Sequence, residues 1–307
     1  MIIVFGSLNI DLVMPVAHFP KPGETVLCAA DYLSRPGGKG ANQAVAAARA
    51  GAKVAMVGKV GDDSFGRRCI SNLKNQSVWA SGIGISDRPT GCATIAVDQL
   101  GENIVMTAPG ANLDATSDQM PDEVFTAKNI ILTQMENAPA ETFAVLARAR
   151  QHGATSILNA SPVSDLPSNA LENIDYLIVN EIEAAQLAHS LGISATDPLQ
   201  ICREIAAAGN LTCIVTMEAK GSVAVRKGDA YKQAALRVEV VDSTGAGDAF
   251  CGIFAACLQA DHDWLTALHR ASVGASLSCL GLGAQDGMPF MEDIDGSLGK
   301  VPVPERI

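Results

Sequence analysis

The segment Asp242-Ser-Thr-Gly-Ala-Gly-Asp248 has the composition and spacing of a phosphate site. Two glycines among small residues lead straight into the apolar run Ala249–Leu258. The backbone N–H groups of Gly245, Ala246 and Gly247 can then converge on one spot at a helix start, where the helix dipole adds positive charge. Asp248 at the head of that helix would oppose a bound anion. It makes chemical sense as a general base that takes a proton from a hydroxyl attacking a phosphate. An Asp helix cap after a Gly-rich turn is the alternative for the same residues. A second segment, Gly37-Gly38-Lys39-Gly40-Ala41-Asn42-Gln43, opens another Ala-rich helix and lacks the spacing of a Walker A loop. Its glycines permit close backbone approach to a ligand. Lys39, Asn42 and Gln43 supply the donors and acceptors that a hydroxyl-rich ligand needs, and a flexible turn capped by Asn42 is the plainer alternative.

These segments need elements to position them. Short β-branched runs alternate with Ala-rich helical patterns, as in a parallel sheet with crossover helices. The expected strands are Ile2–Phe5, Val54–Val60, Asn129–Thr133, Ser156–Asn159, Tyr176–Val179 and Thr212–Thr216. The expected helices are Ala41–Ala50, Phe65–Gln76, Ala140–His152, Glu181–Leu191, Pro198–Ala208, Asp248–Leu258 and Trp264–Leu280. Asn9 and Asp11 follow the first strand, Glu136 the third, Asn180 and Glu183 the fifth, and Thr216 ends the sixth. Each alone reads as a cap or surface residue. Together they suggest a rim of ligand groups at the carboxyl ends of the strands, where open α/β sheets bind ligands. Two regions break the rhythm. Residues 11–35 hold turn residues and a strand-like Thr25–Cys28, and residues 91–107 read as a hairpin of Cys92–Val97 and Asn103–Thr107. They are expected to form a small β layer, a lid inserted into a single α/β domain spanning 1–307.

Composition limits the function. The 33 acidic and 22 basic residues give a net charge of -11, which argues against nucleic acid, whose affinity comes largely from Lys and Arg. The longest uncharged stretch, Ala271–Gln285, is shorter than a membrane span and rich in Ser and Gly, and Met1–Phe5 is no signal peptide. Eight cysteines without a C-x-x-C pair suit a reducing cytosol. No zinc-type cluster, G-x-S-x-G or H-E-x-x-H is present, and the five histidines are dispersed.

Both glycine-rich segments, with Gly6-Ser-Leu-Asn9-Ile-Asp11 and Val179-Asn180-Glu-Ile-Glu183, resemble the signatures of the ribokinase (pfkB) family of carbohydrate kinases. Their order and roughly 200-residue separation fit such a domain. The resemblance runs from Ile3 to about Pro289. It implies a ribokinase-like fold: a Rossmann-type, mostly parallel central sheet flanked by helices, with a small β-sheet lid. It implies ATP-dependent phosphorylation of a sugar hydroxymethyl group, with ribose as the first expectation and deoxyribose, fructose or a nucleoside as same-fold alternatives. By that resemblance Asn9, Asp11, Gly38, Lys39, Asn42 and Glu136 contact the sugar, Asp248 is the general base, and Gly245, Ala246 and Gly247 form the anion hole. Asn180, Glu183, Thr216, Glu218, Gly221 and Ser272 surround the nucleotide and its Mg2+. A monovalent cation, usually K+, would be held by Asp242, Thr244, Ser278, Gly281 and Gly283, and two lids would pair in a homodimer.

Three features depart from the family pattern. Glu218 stands where the family usually has Gly, Ser272 where some ribokinases have His, and Arg35-Pro36 precedes the first signature. A nucleoside kinase would want apolar or aromatic lid residues, and the expected lid holds only Phe19 and Tyr32. A Rossmann oxidoreductase lacks its glycine fingerprint here. A non-catalytic sugar-binding protein would not need Asp248 and its glycines.

Overall fold

The run Ile2–Phe5 is wholly buried, because it becomes the middle of a sheet covered on both faces. The computed structural model describes residues 1–307 except Asp165 and Ser168. Along the chain run strands β1 (Ile2–Phe5), β2 (Asn9–Pro15), β3 (Leu33–Gly37), β4 (Val54–Gly61), β5 (Trp79–Ser86), β6 (Gly91–Val97) and β7 (Asn103–Ala108). They continue as β8 (Ile130–Thr133), β9 (Thr155–Asn159), β10 (Tyr176–Asn180), β11 (Thr212–Thr216), β12 (Ser222–Arg226), β13 (Asp229–Gln233) and β14 (Glu305–Arg306). The helices are α1 (Lys39–Arg49), α2 (Ser64–Asn75), α3 (Pro139–His152), α4 (Glu181–Ser190), α5 (Pro198–Gly209), α6 (Ala246–Gln259), α7 (Trp264–Ser278) and α8 (Met291–Asp295).

The ten-stranded sheet has the order β14-β13-β12-β11-β10-β9-β8-β1-β4-β5. Pairing is parallel from β11 to β5 and antiparallel through β12, β13 and β14. Alternation along β1 sorts the two faces: Ile2 and Val4 pack with α1, α6 and α7, whereas Ile3 and Phe5 pack with α3. A further core gathers α4 and α5 against β10 and β11. Helices α1 and α6 lie close together because Gly252 has no side chain. A Cβ there would meet the Gln43 carbonyl and the Ala46 methyl. Among the described residues no helix is long and apolar enough to cross a membrane.

The six expected strands and seven expected helices all form, with ends shifted by at most two residues. The small second sheet also forms, in the order β3-β2-β6-β7, and β6 and β7 pair as the expected hairpin, Val97 opposite Asn103. Its boundaries differ from 11–35 and 91–107. The first insertion contributes Asn9–Pro15 and Leu33–Gly37, so Asn9 and Asp11 stand within lid strand β2 rather than in a turn. Thr25–Cys28 is not a strand. It is almost wholly exposed, and none of its backbone groups is hydrogen-bonded among the described residues.

Candidate active site

Helix α6 begins after Gly245, whose φ of 81° needs glycine and whose Cβ would collide with Ala284. The N–H of Ala246 is taken by the Ser243 carbonyl at 3.2 Å. The N–H groups of Gly245, Gly247 and Asp248 have no acceptor among the described residues, so they, rather than Ala246, are the donors left open for an anion. A Cβ at Gly247 would meet nothing within 4 Å, which leaves open space in front of them. Asp248 is buried. Its Oδ2 accepts from Asn42 Nδ2 at 2.9 Å and its Oδ1 from Gln43 Nε2 at 2.9 Å. Gln43 also donates to Asn159 Oδ1 and accepts from Gln134 Nε2, which ties α1 to the ends of β9 and β8.

The start of α1 faces Glu136, which follows β8. Glu136 Oε2 accepts from the Lys39 N–H at 3.0 Å and from the Ser7 hydroxyl at 2.5 Å. Burial works to discharge Lys39, but the carboxylates of Asp248, Glu136 and Glu183 outweigh it and hold its pKa above the usual lysine value. Asn9 is buried and its Oδ1 accepts from Asn112 Nδ2 at 2.7 Å, while Asn112 Oδ1 accepts from the Leu8 N–H. Gly38, with φ of 89°, lies against the backbone of Ser7 and Leu8, too close for a side chain. The Asp11 carboxyl has no hydrogen-bond partner among the described residues, although its backbone pairs in the lid sheet. Burial first, then the charges of Glu136 and Asp248, push its pKa up to about 7.

On the far side of α6, Asp242 Oδ1 accepts from the Thr244 N–H at 2.9 Å and Oδ2 from the Gly283 N–H at 2.8 Å. Burial opposes its ionisation, but the Thr244 and Gly283 contacts and the Arg35 charge hold its pKa below the usual value. Gly287 lies where three carbonyls meet. A methyl group there would sit 2.5 Å from the Ser278 oxygen and 3.4 Å from those of Gly281 and Gly283. Asn180 and Thr216 are register partners at the ends of β10 and β11. Asn180 and Glu183 cap α4 reciprocally, at 2.8 and 2.9 Å. Glu218 follows β11 with φ of 49°. Lys220 pairs with Glu181 at 3.1 Å, not with Glu218. Gly221, with φ of 93°, closes the turn into β12, where a Cβ would strike the Gln233 carbonyl. Ser272 is not brought to this rim: it is buried in α7 and donates to the Ala234 carbonyl at 3.1 Å.

The sequence pattern of the pfkB family carbohydrate kinases matches residues 1–291. A ribokinase of Bacillus subtilis is 37% identical over 301 residues, which is 96% of this chain and 98% of the relative. The chain belongs to the pfkB family of carbohydrate kinases. Such an enzyme transfers a phosphoryl group to an alcohol acceptor. The crystal structure of a ribokinase from Thermotoga maritima superposes with a TM-score of 0.89 at 30% identity, covering 97% of this chain and 99% of that one. The structure of an Arabidopsis thaliana ribokinase complexed with ribose and ATP superposes with a TM-score of 0.86 at 28% identity, covering 97% and 98%.

In this pfkB kinase the two signatures meet at Asp248, and the lid strand β2 brings Asp11 toward the same carboxylates. Gln43, offered by the sequence as a ligand group, instead grips Asp248, and Ser7, Asn112, Asn159, Gln285 and Gly287 complete the arrangement without having been singled out as site residues. Ser7 and Gln43 lie inside the quoted motifs and were legible there. The others stand outside any motif. Glu218 holds a left-handed conformation that favours the glycine the family usually carries, so its side chain is accommodated at a backbone cost.

Asp11 gives a pH signature. Its proton is held more tightly in the folded protein than in the unfolded chain, whose ordinary value is 3.8. Its burial therefore costs stability progressively as pH rises from about 4 to about 7 and by a constant amount above that. Asp11→Asn should raise the melting temperature at about pH 8 and change it little near pH 4. A role for Asp11 in accepting sugar hydroxyls predicts a sugar KM that falls between about pH 6 and about pH 8, a slope that Asp11→Asn should remove. A melting difference independent of pH would show that Asp11 is ionised throughout.

Proposed function

We propose that this kinase phosphorylates ribose at its hydroxymethyl oxygen, with ATP as donor and ribose 5-phosphate and ADP as products. The observation that carries this reading is the buried Asp248 carboxylate, gripped by Asn42 and Gln43 beside three open backbone donors. Family membership and relatives named ribokinase support it. We read residues 1–307 as one domain with its lid, working in a reducing cytosol, which the eight unpaired cysteines favour.

In this reading Asp11, Asn9, Lys39, Asn42 and Glu136 bind the sugar hydroxyls, with Gly38 allowing close approach. Asp248 accepts the hydroxymethyl proton as that oxygen bonds to the γ-phosphorus and the bond to ADP breaks. The open N–H groups of Gly245, Gly247 and Asp248 take the charge on the transferring phosphoryl oxygens, a preorganised arrangement of fixed dipoles. Glu183, Asn180 and Thr216 face the phosphates. A magnesium ion brought by ATP needs only one or two protein carboxylates, which Glu183 can supply; when bound, it neutralises phosphate charge. The Ser278, Gly281 and Gly283 carbonyls, with Asp242 and Thr244 beside them, fit a large monovalent cation such as potassium, because a hard cation wants converging oxygens.

Asp248→Asn keeps the size of the side chain but removes the proton acceptor. Turnover should fall about 10²–10⁴-fold, and the melting temperature should fall too, because the new amide NH2 faces one of the two donors from Asn42 and Gln43. Near wild-type turnover would falsify the general-base role. An ADP-release screen across ribose, deoxyribose, fructose and nucleosides fixes the acceptor, and a preference other than ribose would replace the sugar named here.

Gly287→Ala places a methyl group among the three carbonyls. It should bring the rates in potassium, sodium and choline together, whatever its effect on the choline rate; a retained potassium-to-choline ratio would move the cation elsewhere. We also propose a homodimer through the lid. Edge strand β7 is exposed along its whole length, with Ile104, Val105 and Met106 open, and an apolar edge of this kind invites a second copy. Light scattering should give twice the 31.8 kDa chain mass. A monomer at all micromolar concentrations would count against it.

A further inference from the structure

The loop from Gly281 to Gly287 faces two ways. On one side its Gly281 and Gly283 carbonyls, with that of Ser278, converge at Gly287. On the other side Gln285, buried at 6% exposure, reaches into the sugar end. Gln285 Nε2 donates to Asn42 Oδ1 at 2.9 Å, and Gln285 Oε1 accepts from Asn72 Nδ2 at 2.6 Å. Asn42 donates onward to Asp248. Gln285 and Asn42 each use both ends of the amide, so neither can flip without losing two bonds. A continuous chain therefore runs from Asn72 in α2 through Gln285 and Asn42 to the Asp248 carboxylate.

A second tie joins the same loop to the lid. Arg35 Nη1 donates to the Leu282 carbonyl at 2.6 Å and lies 3.1 Å from the Asp286 carboxylate. Arg35 stands in β3 directly opposite Asp11 in β2. The loop thus touches both the catalytic carboxylate's support and the strand pair that carries the sugar-facing acid.

We infer that Gln285 is a positioning residue that couples the cation cradle to sugar binding. An ion among the three carbonyls fixes the loop, the loop fixes the Gln285 amide, and that amide orients Asn42 and through it Asp248. The inference rests on the cradle and sugar roles proposed above. Coupling of this kind is reciprocal: the factor by which the cation tightens sugar binding equals the factor by which sugar tightens cation binding.

The test is calorimetric titration of the whole protein with ribose in potassium chloride and in choline chloride, beside melting curves in each salt. The wild type should bind ribose about tenfold more tightly in potassium. Gln285→Met keeps the volume but breaks both hydrogen bonds. It should bind ribose with nearly equal affinity in the two salts while potassium still raises its melting temperature. If that variant does not fold, Asn72→Ala removes only the outer support of Gln285 and should shrink the same ratio. A merely structural role for Gln285 would weaken ribose binding equally in both salts, and a ratio preserved in the variants overturns the coupling. A wild-type protein that potassium stabilises but whose ribose affinity ignores the salt overturns the coupling alone. No stabilisation of the wild type by potassium overturns the cradle and the coupling with it, and no ribose binding in either salt overturns the sugar assignment and the coupling together.

Discussion

The Asp248 carboxylate is buried at the first turn of α6 and accepts from two amides of α1. Neither helix can slide past the other without leaving a buried charge unpaired, an outcome that costs several kcal/mol. Much of the surrounding design serves that grip. Gly252 and the alanines of α1 let the two helices approach closely enough for Asn42 and Gln43 to reach. Gln43 is itself held by Asn159 and Gln134, so the grip extends to the ends of β9 and β8. An amide held at both ends has little freedom to lose when substrate arrives, and this is how a site is preorganised at a helix start.

The central sheet was legible because strands buried on both faces read as continuous apolar runs, and the crossover helices carry ordinary caps such as Asp197 before Pro198. The missed strands had weaker signals. Trp79–Ser86 is interrupted by Gly82 and Gly84 and forms an edge with several residues open. The hairpin β12–β13 turns at Lys227-Gly228, both with positive φ. Asn or Asp usually fills the first of these positions, and a lysine there hides the turn. Thr25–Cys28 failed the other way: its residue types suit a strand, but strand formation is decided by a partner, and among the described residues its backbone finds none.

The active site was legible where the chain itself holds the geometry. Gly38 and Gly245 sit at helix starts with backbones that demand glycine, and Asn42 and Asp248 follow at fixed distances along the helices. Partners brought from afar were not legible. Asn112, Asn159 and Gln285 are ordinary polar residues until tertiary packing delivers them to Asn9, Gln43 and Asn42. Ser272 shows the reverse case. Its position along α7 matches a family ligand position, yet a small hydroxyl finds the Ala234 carbonyl first and stays inside. Which N–H groups stay open at α6 was likewise settled by a backbone turn, the Ala246 bond to Ser243, that composition does not encode.

Glu136 and Asp248 act on both Asp11 and Lys39, and this crowding has a consequence for turnover. In the proposed reading a neutral sugar entering this hollow brings hydroxyl donors to the Asp11 carboxyl, which lacks them, and carries no charge penalty. In that reading the phosphorylated product bears a dianion, and once Asp248 has released the proton it took, the acids around it outnumber the one ammonium. Repulsion between like charges in a poorly solvated hollow is strong at these separations. The acids that draw the substrate in thus become, after transfer, a force that drives the product out.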